Sequence, residues 1–556
     1  MTSQGRGQYQ PPLGGHIVLI AIFAVIVGLS GLLTVPPLDR DESRFIQAST
    51  QMMETGDYVR IKYQNEERNK KPVGIYWLQA ASVQALADVE DRPLWAYRMP
   101  SLLGAMLAAV FTYLAGCTLF GRSAAFMGAM LLAAAPVVAG EASIAKTDAV
   151  LLATICAMQA ALARVILAPP DQSTTKAALG FWIAIGIGLL IKGPITPMVG
   201  VFTVAGVALI SWRKGYGVPW WPRLKLGVGI TIVLLITLPW AIGIGIATEG
   251  RFFEQALGTD MLGKVTSSQE RHGGPPGYHF LAFWAMFWPA ALMVLPALRR
   301  YIPLWGALPV AFCLSWFIPT WIVFELTSTK LPHYPMVVYP ALALLIGAFV
   351  AAPPKMDTPW LRRISALIYF LVGVGAALGM VTLAVTYSTQ GAHVGHYIAA
   401  VVIIIASGFA AIQALRLKRV EAMRIAIVAS AVFVWVTFEG VLPTLDRLLL
   451  TPRLAEMLDT HEAHPLRDDT GPVALVGYHE PSAVFTLGTD TKLLGPQEAA
   501  VWITTANRRA VVVEDRLVED FLTALPKGRD AKAISSIEGF NYSNNKDMKL
   551  TLYRLK

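Results

Sequence analysis

The residues of this chain best suited to chemistry lie in the stretch Pro37-Leu-Asp-Arg-Asp-Glu-Ser-Arg44. Asp41 and Glu42 follow the first long apolar segment, Arg44 stands three positions after Asp41, and Lys70-Lys71-Pro72 comes further along. A carboxylate placed there could act as a general base and take the proton of an attacking hydroxyl. Cations beside it could hold a phosphate and stabilise the charge that develops on a departing anion. Charge at the edge of an apolar segment is costly, so the cluster needs either a catalytic or a topological reason. For Asp41 the plain alternative is a helix cap, a task Asp39 could fill as well.

The elements that must position these groups can be read from periodicity. Glu42 to Thr55 reads as a helix with Phe45, Ile46, Met52 and Met53 on a rough apolar face and Gly56 as its stop. An amphipathic helix lying on the outer leaflet fits that pattern. Pro72 opens a second helix, Val73 to Leu86, and Lys70 and Lys71 stand at its start, where a phosphate would meet both the cations and the helix N-terminus.

The surrounding chain is built for a membrane. Of 556 residues, 55% are hydrophobic and only 15% charged, which excludes a soluble globular protein and defines a polytopic α-helical membrane protein. The net charge of +9 belongs to loops and lipid headgroups and does not point to nucleic acid. About thirteen segments are long enough to span, beginning near residues 16, 96, 122, 147, 177, 194, 222, 279, 302, 331, 361, 395 and 423. The topogenic cations, among them Arg213, Lys214, Arg299, Arg300, Arg362 and Arg363, all fall in loops after even-numbered segments, which places those loops in the cytoplasm. The opposite, outer face then receives the Asp41 cluster, Lys146 to Asp148, Lys192, the stretch from Arg251 to His279, and Lys330 to Tyr334. Ionisable residues thus collect at an outer rim, whereas a lipid or sugar transporter or flippase would be expected to carry them in mid-membrane.

Three groups of residues in this order resemble the glycosyltransferase C superfamily, in its aminoarabinose transferase and protein O-mannosyltransferase branch. They are Arg40-Asp-Glu-Ser-Arg44, Gly56-Asp-Tyr58 and Asn69-Lys-Lys-Pro-Val-Gly-Ile-Tyr-Trp77, followed by Lys146-Thr-Asp148, Ile191-Lys-Gly-Pro194 and Thr329-Lys-Leu-Pro-His-Tyr334. The resemblance covers about the first 350 residues and implies a glycosyltransferase C fold and an enzyme that moves a sugar from a polyprenyl-phosphate carrier to an acceptor outside the membrane. It implies that Asp41 is the catalytic carboxylate and that Arg44, Lys71, Lys330 and Tyr334 bind the donor phosphate. Glu42, Asp148 and Lys192 fall around the donor and acceptor site, Glu42 chiefly as structural support. Lys70 replaces a glutamate that serves some relatives as a metal ligand, so no metal and no other cofactor is expected. His272 and His279 show no ligand spacing.

The expected organisation is a transmembrane glycosyltransferase domain over 1–445, with a periplasmic first loop 38–95, and a soluble periplasmic α/β domain over 446–556. In the latter, Val473–Tyr478, Val501–Thr504, Ala510–Val513 and Leu550–Tyr553 read as strands and Glu514–Leu525 as a helix. Cys117, Cys156 and Cys313 lie in apolar runs and read as packing residues. The functional expectation is inverting transfer at the periplasmic face of a bacterial inner membrane, onto lipid A or lipopolysaccharide core, with a protein hydroxyl as the alternative acceptor.

Overall fold

The computed structural model describes residues 10–256, 258, 273–351, 358–468, 470–506 and 508–556. Among these, ten helices are long and apolar enough to cross a membrane, eleven if one bent pair counts as a single span. The protein is a multi-pass membrane protein. The helices that build the site are α1 (Gly14–Gly28), α2 (Asp41–Thr55), α3 (Gly74–Leu86), α4 (Leu94–Leu119), α5 (Arg122–Ala133), α6 (Pro136–Ala142), α7 (Asp148–Leu167), α8 (Thr175–Lys192), α9 (Ile195–Arg213) and α10 (Leu226–Ala247).

Each predicted segment is helical, but three are not regular spans. With 15 residues, α1 is shorter than the bilayer core. The segment begun at 122 bends by 62° between α5 and α6, where Pro136 starts a new helix. The segment begun near 279 is divided into Tyr278–Met286, Trp288–Ala291 and Val294–Tyr301. Pro289 lacks the N–H that would continue the preceding hydrogen-bond ladder.

The first loop is a folded unit, with α2, the short hairpin β1 (Lys62–Tyr63) and β2 (Glu66–Glu67), and α3. Gly56 at φ 70° ends α2 in the left-handed conformation that a glycine adopts without strain. The expectation that α2 lies on a leaflet surface is corrected: Glu42, Ser43, Gln47, Ser49 and Thr50 are buried with its apolar residues. Its polar face is covered because each of these groups has a partner there. Ser49 donates to Gln79 (2.7 Å), Thr50 bonds Tyr97 (2.7 Å) and Gln47 donates to Thr489 of the C-terminal region (2.8 Å).

That C-terminal region is a five-stranded mixed sheet in the order β4-β3-β5-β7-β6. Its strands are β3 (Ala474–Val476), β4 (Lys492–Leu493), β5 (Val511–Glu514), β6 (Ala531–Asn541) and β7 (Lys546–Leu555). β3 runs parallel to β4 and β5, and β7 antiparallel to β5 and β6. Buried residues fill both faces of the sheet, Leu454, Leu475 and Leu552 on one, Val476, Val513 and Phe521 on the other. Val501–Thr504, expected as a strand, is instead the end of the helix Pro496–Trp502. Pro496 at the first position and the Glu498 carboxylate accepting from the Gly495 N–H (3.1 Å) make a helix start that outweighs the short apolar run. The expected helix from Glu514 reduces to a 3-10 turn, Asp515–Leu517, and one short helix, Val518–Thr523.

Candidate active site

At one end of the bundle lies a cavity of about 330 Å³. Its lining includes Asp41 and Arg44 of α2, Arg68, Lys70 and Lys71 before α3, Lys146 and Asp148 at the start of α7, Lys192 at the end of α8, and His333 and Tyr334. Stretches far apart in sequence therefore meet in one place. The loops after the first, third and fifth predicted segments and the stretch at the start of the tenth all converge there, as the alternation of charged loops requires.

Asp41 occupies the first turn of α2, which Arg40 precedes with no side-chain cap, so neither Asp39 nor Asp41 caps this helix. The Asp41 side chain opens into the cavity. Burial of the cavity pushes its carboxyl up, but Lys146, Arg68 and Arg44 outweigh this and hold it below the usual carboxylate range. Lys146 is itself raised: burial lowers it, and Glu141, Asp148 and Asp41 more than compensate. Its ammonium donates to Glu141 at 3.1 Å.

Lys71 reaches the cavity because α3 starts hard against α8. A Cβ at Gly74 would lie 2.7 Å from the Leu190 carbonyl oxygen, so only glycine permits this approach of the two helix ends. On α8, Lys192 donates to Asp148 at 2.6 Å and stands 5.4 Å from the Tyr334 ring centroid. His333 faces Asp148 at 3.5 Å and Glu141 at 3.7 Å. Burial lowers the His333 pKa despite these carboxylates, which keeps the ring neutral near pH 7.

Two of the predicted residues lie off the cavity. Glu42 faces away from it, with Arg98 donating to both carboxylate oxygens (2.8 and 2.9 Å). It also accepts the backbone N–H of Leu38 (2.9 Å) and of Ala145 (2.8 Å). Glu42 thus ties α2 to the loop that carries Lys146, and its place is structural. Lys330 is buried beside the cavity, where its ammonium donates to the Thr327 carbonyl at 2.9 Å. Asp41, Arg44, Lys71, Asp148, Lys192 and Tyr334 are brought together.

Sequence reasoning did not single out the ionisable lining residues Asp39, Arg40, Arg68, Lys146 and His333. Lys146 and His333 sit inside quoted motifs, and their polarity at an apolar boundary was the available signal. Nothing local marks Arg68, whose guanidinium lies 4.9 Å over the Phe45 ring. Among the described residues no three His, Cys, Asp or Glu side chains form a metal-binding group. His279 pairs with Glu325 at 3.3 Å, away from the cavity, and His272 lies outside the described residues.

A transmembrane bundle carries a folded first loop and a small C-terminal sheet, and the charged cavity lies where the first loop meets the ends of the membrane helices. A profile for the dolichyl-phosphate-mannose-protein mannosyltransferase family matches residues 70–242. The crystal structure of ArnT from Cupriavidus metallidurans bound to undecaprenyl phosphate superposes with a TM-score of 0.73 over 97% of this chain and 98% of that one, at 18% identity. The undecaprenyl phosphate-α-4-amino-4-deoxy-L-arabinose arabinosyl transferase 1 of Pseudomonas fluorescens is 25% identical over 380 residues, 65% of this chain and 60% of that protein. Its counterpart in Yersinia enterocolitica is 25% identical over 398 residues, 69% and 67% of the two chains. The aligned stretch therefore spans about three fifths to two thirds of these relatives' length. The chain has the glycosyltransferase C fold and is similar in sequence to the aminoarabinose transferases.

Proposed function

We propose that this protein transfers a sugar, with inversion, from a polyprenyl monophosphate to an acceptor hydroxyl at the outer face of a bacterial inner membrane. The observation that carries this reading is the single cavity that joins the Asp41 carboxylate to Arg44, Lys71 and Lys146. Asp41 takes the proton of the acceptor hydroxyl as that oxygen attacks the anomeric carbon. The bond from that carbon to the phosphate oxygen breaks, and its electron pair leaves with the carrier phosphate onto Arg44, Lys71 and the Tyr334 hydroxyl. Arg44, one of the cations that depress the Asp41 pKa, is also one a phosphate would engage, so donor binding raises the basicity of Asp41 as the reaction needs it.

An apolar groove of about 960 Å³ runs between α3, α4, α7 and α8, lined by Leu78, Leu103, Leu107, Val150 and Ile187. Two of its walls, α3 and α7, begin at the charged cavity, which suits a carrier whose phosphate sits in the cavity and whose prenyl chain lies in the groove. The relatives are named for an undecaprenyl phosphate-linked sugar, which supports this donor class, and a lipid A-type acceptor is the first reading. The mannosyltransferase profile favours the second reading, a protein hydroxyl at the same cavity with the same donor class.

The test uses full-length protein in detergent, labelled polyprenyl-phosphate sugar and lipid A. Asp41→Ala is expected to slow transfer by about 10²- to 10⁴-fold with donor binding retained, and Lys71→Ala to weaken apparent donor affinity. Full transfer by Asp41→Ala would remove that residue from the mechanism, and movement of the intact donor without bond cleavage would replace the enzyme with a transporter.

A further inference from the structure

The C-terminal sheet region backs one wall of the cavity from outside, through contacts to Asp39 and Arg40, the two lining residues before Asp41. The Asp39 N–H donates to the Tyr542 hydroxyl at 2.6 Å. The Ser482 hydroxyl donates to the Asp39 carboxyl, and the Arg40 guanidinium donates to the Ser543 carbonyl. Between these contacts Arg40 holds φ 67° and ψ −98°, a conformation that strains a non-glycine residue and persists only where its surroundings enforce it.

The partners are themselves fixed. Ser482 begins the helix Pro481–Leu487 and bonds Thr451 at 2.6 Å, which in turn bonds the buried Tyr478 at 2.8 Å. Tyr542 and Ser543 form the turn between β6 and β7, closed by Asn541, whose side-chain Oδ1 accepts the Ser543 N–H at 2.9 Å. The Asn541 amide donates to Glu480 at 2.8 Å, joining the turn to the segment that carries Ser482. Further along, Arg92 donates to the Phe485 carbonyl at 2.6 Å, so the first loop and this helix are joined beyond the cavity as well.

We infer that Ser482, Tyr542 and Ser543 are positioning residues of the active site: they clasp Asp39 and Arg40, enforce the strained turn, and so aim Asp41 into the cavity. A relaxed Arg40 would rotate the start of α2 and carry the Asp41 carboxylate away from Lys146. The C-terminal region is then a component of the catalytic apparatus. This inference rests on the proposed role of Asp41, and its test separates the two.

Full-length Ser482→Ala/Tyr542→Phe is expected to lose about ten- to a hundredfold in kcat, the scale of an ångström-sized misplacement, with donor KM within about twofold of wild type. Hydrogen exchange should rise in residues 38–44 and stay unchanged in β3, β5 and β7. Asp39→Asn keeps an oxygen for Ser482 and the backbone N–H for Tyr542, so it should keep transfer near wild type, whereas Asp39→Ala, which loses the Ser482 bond alone, should fall between wild type and the double variant. Unchanged exchange at 38–44 in the double variant would overturn the clasp. Loss of transfer by Asp39→Asn equal to that of Asp41→Ala would overturn a positioning role and make Asp39 a chemical one. If the wild-type protein transfers no sugar, the proposed function fails, while the exchange data still judge the clasp.

Discussion

Two buried carboxylate–cation pairs stand close together in this protein, and they are built in opposite ways. Glu42 and Arg98 are fully enclosed, at 1% and 0% side-chain exposure, and every lobe of the pair is occupied. Arg98 binds both oxygens of Glu42 and also donates to the carbonyls of Gly31, Leu32 and Val35 (3.1, 3.1 and 2.7 Å), in the turns that follow α1. Asp148 and Lys192 meet through one 2.6 Å contact, at 10% and 12% exposure, on a cavity wall with His333 and Tyr334 alongside. The closed pair can only hold structure. The open one can exchange partners when an anion enters, because Lys192 has a second position to turn to and Asp148 keeps His333 and Lys146 nearby.

The sharpest way to break this contrast is to remove one cation from each pair. Arg98→Met leaves Glu42 charged, buried and without its bidentate partner, and strands the carbonyls of the turns after α1. A loss of about 3–5 kcal/mol is expected, read as a large fall in the thermal midpoint in detergent. If Arg98→Met unfolds no more readily than wild type, the pair is not the structural tie described here. Lys192→Met should act on the other axis. The midpoint should shift little, since Lys146 and His333 still face Asp148, while transfer falls by about ten- to a hundredfold, the worth of one charge-assisted contact. A variant that unfolds early but transfers normally when folded would merge the two pairs into one class.

The contrast also shows what was legible in the sequence and why the rest was not. The class of membrane fold and the convergence of Asp41, Lys71, Asp148 and Tyr334 could be read from charge alternation and motif order, because topology forces those loops to one end. Glu42 and Asp41, adjacent and chemically alike, could not be separated by type alone. What separates them is a helical rotation of about 100° and Arg98, a single charge inside α4 whose partner lies 56 positions away. Asp39 was weighed only as a cap, since its partners Ser482 and Tyr542 are more than 400 residues distant. The Val501–Thr504 error had a different origin, a four-residue apolar run too short for its periodicity to decide between strand and helix.

A third carboxyl completes the comparison and gives the smallest of these effects. Asp39 meets hydroxyls where the other two meet cations, and burial, partly offset by Ser482 and reinforced by Glu480, lifts it from its ordinary 3.8 to about 7. The groups around it, Glu480, Tyr478, Tyr542 and Tyr63, add no positive charge of their own, while the guanidinium of Arg40 is drawn to Ser543. Protons are therefore bound in the docked state that the undocked state has released. The sign follows: docking of the first loop on the C-terminal region is fully favourable below about pH 4, weakens as the pH rises from there, and levels off above about pH 7. Hydrogen exchange of residues 38–44 in the full-length protein should accordingly quicken over that range beyond its intrinsic pH dependence. Asp39→Asn, neutral throughout, should flatten the difference, whereas Arg98→Met should leave its slope intact. An equal slope in wild type and Asp39→Asn would mean that Asp39 titrates like an exposed carboxylate and that the hydroxyl clasp is looser than its geometry indicates.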